Sequence, residues 1–210
     1  MRSKKELCRS WKLYVITDKP AGGLTLEEAV AEAVAGGASV VQLRDKHSSD
    51  ADLVARTMAL KRITAAAGIP LLVNDRPKVA RAAGADGVHL GQEDGSLEAA
   101  RAILGAEAIY GRSTHSPQQA LEAEKEGFDY IGVGPVFSTP TKPDVAPVGL
   151  ELVRFAAANV RIPFVAIGGI DAANVRRVRE AGATTIAVVR AVMAAPSPRG
   201  AAQLLLGDLA

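Results

Sequence analysis

The sequence has little of several residue types, and each shortage narrows the class of protein. Its single cysteine, Cys8, excludes a disulfide within the chain, and the polar stretch around it predicts an incidental thiol. The net charge of +2 is too small to predict a nucleic-acid surface. No apolar run approaches the roughly 20 residues that span a bilayer, so we expect no membrane partner. No apolar signal core follows the basic opening, which predicts a cytoplasmic protein.

Aromatic residues are also scarce, at 4% of the chain, whereas apolar residues make up 48%. Ala, Val, Leu and Ile supply most of that apolar content, and they suit helices that pack closely on a buried sheet. Short β-branched runs alternate with longer Ala-rich stretches of helical period, which is typical of repeated βα units. The runs predicted as strands are 13–17, 39–44, 70–74, 86–90, 108–111, 130–134, 163–168 and 185–189.

Eight βα units without a linker predict an α/β protein with a single (β/α)₈ TIM barrel. We expect one domain over residues 1–210, in which residues 1–11 form an N-terminal extension. An open doubly wound sheet is the alternative. It is disfavoured because no Gly-rich dinucleotide fingerprint follows the first strand.

In such a barrel the loops after the strands build the active site, so polar residues at strand ends are the candidates. The second strand ends in QLRDK, where Gln42, Arg44 and Lys46 share one face because side chains alternate along a strand. Packing does not explain this row, and a buried Arg44 would need a partner. For Lys46 the alternative is an ordinary solvated loop charge.

Two carboxylates follow neighbouring strands. VNDR ends the third strand with Asn74 and Asp75, and GQED follows the fourth strand and ends at Asp94. Adjacent strands lie about 4.8 Å apart, so both carboxylates can reach one cation. Carboxylates together with water and phosphate oxygens are a common way to hold Mg²⁺. Two alternatives for Asp94 are a helix N-cap and a turn residue.

Other strand ends carry groups that suit anions. The long segment after the sixth strand offers Thr139, Thr141 and Lys142, and the pair Gly168–Gly169 follows the seventh strand, where these barrels often bind phosphate. Ser113 follows the fifth strand. The histidines show no metal-ligand spacing, and His89, within a strand, is expected to be structural. No Ser-His-Asp or Cys-His arrangement indicates a nucleophile.

The motifs QLRDK, VNDR, GVHLGQED, STHS, PVFSTPTK and AIGGI occur in this order, and together they make the chain resemble the thiamine phosphate synthase family over nearly its whole length. The resemblance implies a (β/α)₈ barrel that joins a pyrimidine pyrophosphate to a thiazole phosphate and releases pyrophosphate. It implies Mg²⁺ as the cofactor and no redox cofactor. The small phosphorylated substrates would be its partners, and the sequence does not give the oligomeric state.

The resemblance also implies roles for particular residues. Asp75 and Asp94 match the Mg²⁺ ligands. The positions that match binding of the pyrimidine and its pyrophosphate are Gln42, Arg44, Lys46, Asn74, Ser113 and Lys142. The positions that match the thiazole phosphate site are Thr139, Thr141, Gly169, Val189 and Arg190. Many relatives carry Ser where this chain has Arg190, so the phosphate contact there is expected from either the backbone or the guanidinium.

Three alternatives stay open at this point. A paralogous thiazole tautomerase shares the barrel but has no need of the GQED carboxylate or the STPTK segment, and both are present here. A phosphosugar isomerase or epimerase would need an acid/base pair at the barrel mouth, and none is evident. A non-catalytic regulator that binds a phosphorylated ligand would show binding without turnover.

Overall fold

A closed barrel of parallel strands forms the centre of the computed structural model, which describes residues 3–140 and 146–209. Within those residues each strand pairs with the next along the chain, and the first pairs with the last, so the open-sheet alternative is wrong. The strands are β1 (Leu13–Ile16), β2 (Val40–Leu43), β3 (Leu71–Asn74), β4 (Gly87–Leu90), β5 (Ile109–Thr114), β6 (Tyr130–Val133), β7 (Phe164–Ile167) and β8 (Ile186–Val188).

Helices surround this barrel, and one further helix precedes it. They are α1 (Lys4–Arg9), α2 (Leu26–Ala35), α3 (Asp50–Ala66), α4 (Pro77–Ala83), α5 (Leu97–Leu104), α6 (Pro117–Glu126), α7 (Gly149–Asn159), α8 (Val175–Glu180), α9 (Arg190–Met193) and α10 (Pro198–Leu209). The predicted (β/α)₈ barrel is confirmed. Among the described residues no helix has the length and apolar character needed to cross a bilayer.

The fifth strand is longer than the sequence predicted. It was expected over 108–111, but β5 continues to Thr114 because Arg112, Ser113 and Thr114 pair in register with β6. Ser113 therefore lies within the strand and is held by the sheet on a defined face, rather than in the loop after it. The other strands agree with their predicted ranges to within two residues at each end.

The lower end of the barrel, where the strands begin, is closed by the N-terminal segment. Ser3 and Glu6 form a capping box that starts α1, and Lys4 donates to the carbonyls of Ala106 and Ala108, just before β5. Thr185, just before β8, donates to the carbonyl of Trp11. This segment, residues 3–11, therefore contacts the N-terminal ends of the strands, and we call it the plug.

The plug corrects the expected surroundings of Cys8. This side chain is 1% exposed and packs with Trp11 inside the barrel, not in a polar tail. Burial raises the pKa of the Cys8 thiol, and the negative charge of Asp129 adds to that effect. The thiol therefore stays protonated and inert, which agrees with the expectation that it is incidental.

Two aspartates at the lower end hold neighbouring strands together. Asp86, just before β4, accepts a hydrogen bond from the Leu71 backbone N–H at 2.7 Å, and Lys61 donates to both of its oxygens. Asp129, just before β6, accepts from the Tyr110 backbone N–H at 2.9 Å. Asp129 is 5% exposed, so the N–H that it satisfies has little access to water.

We expect Asp129→Ala to lower the free energy of unfolding by about 2 kcal/mol, because it leaves a buried backbone donor unsatisfied. Asp129→Asn keeps an acceptor oxygen and should lose about half as much. The measurement is the urea midpoint of each variant. Equal losses in the two variants would show that the hydrogen bond to Tyr110 contributes nothing.

Candidate active site

A cavity of about 500 Å³ opens at the end of the barrel where the strands finish. Its deep part is formed by barrel-interior side chains, among them Tyr14, Tyr130 and Val165. Its upper wall is formed by the segments after β6, β7 and β8, which include Pro135, Gly168 and Ala191. Because all strands are parallel, every strand end opens into this one space.

The structure brings most of the candidate residues to this cavity. Those that line it are Gln42, Arg44, Asn74, Ser113, Thr139, Gly169, Val189 and Arg190. Lys46, Asp75 and Asp94 form a separate charged group beside it, next to Asn74. Thr141 and Lys142 lie outside the described residues.

The two predicted carboxylates are neighbours in space. The carboxyl groups of Asp75 and Asp94 come within hydrogen-bonding reach of each other, and Lys46 Nζ lies 3.7 Å from Asp75 Oδ2. Burial, together with the hydrogen bond and the negative charge of Asp94, raises the pKa of Asp75 to about 6, although Lys46 lowers it. Two carboxylates therefore share this site with Lys46, whose single positive charge does not balance both.

The alternatives for Asp94 are resolved by its contacts. Ser96, not Asp94, caps α5 by accepting from the Ala99 N–H, so the N-cap alternative is wrong. Asp94 Oδ2 accepts from the Gly91 N–H at 2.7 Å, which orders the turn after β4. The turn role is thus present, and it holds the carboxylate beside Asp75.

The chemistry of this pair fits Mg²⁺. Hard oxygen donors are what Mg²⁺ prefers, and a cation would offset the repulsion that raises the Asp75 pKa. In the described part of the chain no group of three or more His, Cys, Asp or Glu residues is arranged to hold a metal ion. A cation here would therefore take its other ligands from water or from a substrate.

The segment after β7 approaches the β6 segment closely. Gly169 has φ 64°, and a Cβ on it would lie 2.6 Å from the Ser138 carbonyl oxygen, so only glycine fits. Asn174 donates to the Gly169 carbonyl at 2.8 Å and fixes this turn. The two segments thereby form one continuous wall beside Val189 and Arg190.

The cavity floor also contains Tyr14 and Tyr130, two polar residues that were not predicted from the sequence. Gln42 Nε2 donates to Tyr14 Oη at 2.6 Å, and Tyr14 Oη lies 2.9 Å from Tyr130 Oη. His89 Nδ1 lies 2.8 Å from Tyr130 Oη, and His89 Nε2 lies 2.9 Å from Ser113 Oγ. Both ring nitrogens of His89 are thus bonded, as expected of a structural histidine, yet the ring also lines the cavity.

The raised pKa of Asp75 makes a prediction about the protein without Mg²⁺. A carboxyl whose folded pKa exceeds its ordinary value adds stability that is present below the ordinary pKa of about 4 and is lost as the pH rises from there to about 6. Asp75→Asn, which cannot ionise, should be more stable than the natural protein at pH 8 by about 2 kcal/mol, and by no more than about half as much at pH 4.5. Thermal unfolding in EDTA at both pH values measures this.

Asp45→Asn is the matched control. Hydrogen bonds from Ser48 and from the His47 N–H hold the pKa of Asp45 well below its usual range, so the sign is opposite. This variant should be less stable than the natural protein at pH 8. A pH-independent difference for Asp75→Asn would contradict the raised pKa of Asp75.

Comparison with known proteins agrees with this geometry. A family model described as thiamine monophosphate synthase matches residues 13–192. A thiamine-phosphate synthase from Chloroflexus aurantiacus is 48% identical over 197 residues, which cover 93% of this chain and 91% of that protein. One from Shouchella clausii is 46% identical over 203 residues, covering 96% and 97%.

A solved structure is similar over the same length. Thiamine phosphate pyrophosphorylase from Pyrococcus furiosus superimposes with a TM-score of 0.88 at 41% identity, and the match covers 97% of each chain. With the barrel, the polar strand ends and these relatives in agreement, the chain belongs to the thiamine monophosphate synthase family.

Proposed function

We propose that the chain condenses 4-amino-2-methyl-5-(diphosphooxymethyl)pyrimidine with thiazole phosphate, carboxylated or not, to give thiamine phosphate and pyrophosphate, with CO₂ released as well where the thiazole is carboxylated. The observation that carries the proposal is the division of the barrel mouth into three parts. A charged pair, Asp75 with Asp94, lies beside a neutral hydrogen-bonded floor, and a glycine-lined wall lies opposite. These parts suit a metal-bound pyrophosphate, a pyrimidine ring and a second phosphate.

The charged part would bind the leaving group. Asp75 and Asp94 would hold Mg²⁺, which would neutralise charge on the departing pyrophosphate. Lys46, 3.7 Å from Asp75, and Arg44, on the cavity wall, would contact its oxygens. Lys142 would add a third cation.

The floor would orient the pyrimidine ring. Gln42 is 2% exposed and bonded to Tyr14, so its amide is held in a fixed place. Ser113 is held by β5 and by Gln92, whose Nε2 donates to the Ser113 carbonyl. With Asn74 at the end of β3, these side chains would fix the ring so that its methylene carbon faces the thiazole.

The wall would bind the thiazole phosphate. Thr139 and Thr141 would donate hydroxyl hydrogen bonds, and Gly169 lets the backbone come close to a phosphate oxygen. The segment Val189–Arg190 would complete this site. Its separation from the carboxylates keeps the two phosphorylated substrates apart.

The reaction would begin with cleavage of the bond between the methylene carbon and the pyrophosphate oxygen. The electron pair leaves with pyrophosphate, and the pyrimidine ring stabilises the resulting carbocation. The thiazole nitrogen then forms the new C–N bond with its lone pair. The protein's part is to position the reactants, stabilise charge and exclude water, so no protein nucleophile is required.

The direct test mixes the purified protein with both substrates and Mg²⁺, oxidises the products and measures thiochrome fluorescence. We expect a signal that grows with time and disappears with EDTA. Folded protein without any signal would contradict the proposal. Consumption of the carboxylated thiazole phosphate alone would then favour a tautomerase, and binding without turnover would favour a regulator.

Replacement of Asp75 or Asp94 should weaken Mg²⁺ binding. We expect Asp75→Ala and Asp94→Ala to lower kcat/KM at least 100-fold, or to raise the Mg²⁺ concentration for half-maximal rate at least 10-fold, because one of two protein ligands is lost. Asp52→Ala, which removes an exposed carboxylate in the first turn of α3 that pairs with Ser49, is the control. An unchanged Mg²⁺ titration in both variants would remove these residues from the metal site.

Arg190 should raise the affinity for thiazole phosphate. We expect Arg190→Ser to raise the KM for thiazole phosphate about 3-fold to 10-fold with kcat nearly unchanged, and the effect should shrink in high salt. Arg176→Ser, on α8 and paired with Asp208 away from the cavity, should leave KM unchanged. If both variants behave like the natural protein, the phosphate contact at position 190 comes from the backbone.

A further inference from the structure

The polar groups of the cavity floor form one unbroken chain of hydrogen bonds. The chain runs from Gln42 through Tyr14, Tyr130 and His89 to Ser113, with successive donor–acceptor distances of 2.6, 2.9, 2.8 and 2.9 Å. Its two ends, Gln42 and Ser113, are residues to which we assign contacts with the pyrimidine. The three middle residues have so far been given no role toward the substrate.

The direction of the protons along this chain is set by its first bond and by the need to give each buried hydroxyl proton an acceptor. Gln42 Nε2 can only donate, so Tyr14 Oη accepts there. The 2.9 Å between the two tyrosine oxygens allows either to donate, and we assign the donor to Tyr14 because this order gives the protons of both Tyr14 and Tyr130 an acceptor. Tyr130 in turn donates to His89 Nδ1, which leaves the single proton of a neutral imidazole on Nε2. That proton goes to Ser113 Oγ, and Ser113 keeps its own proton for an acceptor in the cavity.

We propose that Tyr14, Tyr130 and His89 are positioning residues that set which end of the floor accepts and which end donates. In this order Gln42 turns its amide oxygen, an acceptor, away from Tyr14, and Ser113 offers a donor. A 4-aminopyrimidine carries the complementary pair, an amino N–H and a ring nitrogen lone pair. The inference rests on the proposed function and deepens it, because it assigns the choice of an amino over an oxo ring to residues behind the contact residues.

Burial keeps the chain intact. Tyr14 is 2% and Tyr130 0% exposed, and burial raises the pKa of both hydroxyls, so each carries one proton to pass on. Reversing the order moves the proton of His89 to Nδ1, and it also takes Tyr130 away as the acceptor of the buried Tyr14 proton unless the Gln42 amide turns over. A break at any one link removes this coupling and lets each end rotate independently.

The surrounding sequence is shaped to hold these rings. Gly111 lies where a Cβ would overlap the Tyr130 ring, and a Cβ on Gly132 would lie 3.3 Å from His89 Cε1. Below the chain, Trp11 packs edge-on to Tyr14 and Tyr130, with ring centroids 5.8 and 5.1 Å apart. Two strand glycines and the plug therefore fix the rings in the positions that the hydrogen bonds require.

The test measures binding of two unreactive probes by calorimetry. They are 4-amino-5-hydroxymethyl-2-methylpyrimidine and its 4-oxo counterpart, in which the donor and acceptor on the ring edge are exchanged. We expect the natural protein to prefer the amino probe by at least about 30-fold, and Tyr130→Phe to reduce that preference below about 5-fold. Tyr110→Phe, which removes a buried hydroxyl bonded to the Gly105 carbonyl outside the cavity, should keep the full preference.

The outcomes separate this inference from the proposed function. A natural protein that makes thiamine phosphate, with Tyr130→Phe keeping its amino preference, would overturn the proton chain alone. A natural protein that neither binds the amino probe nor makes product would overturn the proposed function. If Tyr130 were only structural, Tyr130→Phe would lower the affinity for both probes equally and leave the ratio of the two affinities unchanged. That result would also overturn the inference.

A second measurement reads the proton position in the natural protein itself. Nitrogen-15 chemical shifts of the His89 ring report which nitrogen carries the proton, and the His89→Gln spectrum assigns them. A proton on Nε2 supports the proposed order, and a proton on Nδ1 overturns it. Tyr14→Phe, which breaks the chain at a different link, should reduce the amino preference as Tyr130→Phe does.

Discussion

The position of the Tyr130 ring at the centre of the barrel is the constraint on which the rest of the structure depends. It touches Trp11 of the plug below, Tyr14 and His89 beside it, and the cavity above. A ring can occupy that place only because β5 has no side chain at Gly111. The plug, the barrel core and the cavity floor are consequently one packed unit, and a change in any of them moves the others.

The same arrangement separates neutral from charged groups. The floor consists of hydroxyls, an amide and an imidazole that satisfy one another in a buried environment, where unpaired charge would be costly. The carboxylates Asp75 and Asp94 lie at the rim, where water or a cation can reach them. The proposed reaction would benefit from this division, because the departing negative charge and the developing positive charge would be stabilised in different places.

The fold could be predicted from the sequence because local residue patterns mark the strands and helices. The Pro117 start of α6 and the Ala-rich run of α2 are examples, with Ser116 and Thr25 as caps. The end of β5 could not, since Arg112–Thr114 are polar and only their pairing with β6 makes them a strand. Local pattern gives the elements, whereas partner strands decide their ends.

The candidate site shows the same limit. Charged residues such as Arg44 and Asp75 stand out because they are unexpected at the end of an apolar strand. Tyr14 and Tyr130 do not, because a tyrosine in a strand is an ordinary core residue until its hydroxyl is seen to meet another. The surroundings of Cys8 were predicted wrongly for a related reason. Polar neighbours in the sequence do not show that α1 turns one face into the barrel.

The backbone at Asp75 ties the fold to the chemistry. It has φ 61°, the single positive φ among the described residues other than glycine, and such strain persists only where surrounding contacts enforce it. Its N–H donates to the His89 carbonyl at 2.9 Å, which binds the strained residue to the strand that carries the floor. In this backbone conformation the Asp75 carboxyl lies beside that of Asp94, despite the like charges. The barrel thus holds in advance the arrangement that a cation would favour, so that in the proposed reaction little reorganisation is needed when the metal-bound pyrophosphate arrives.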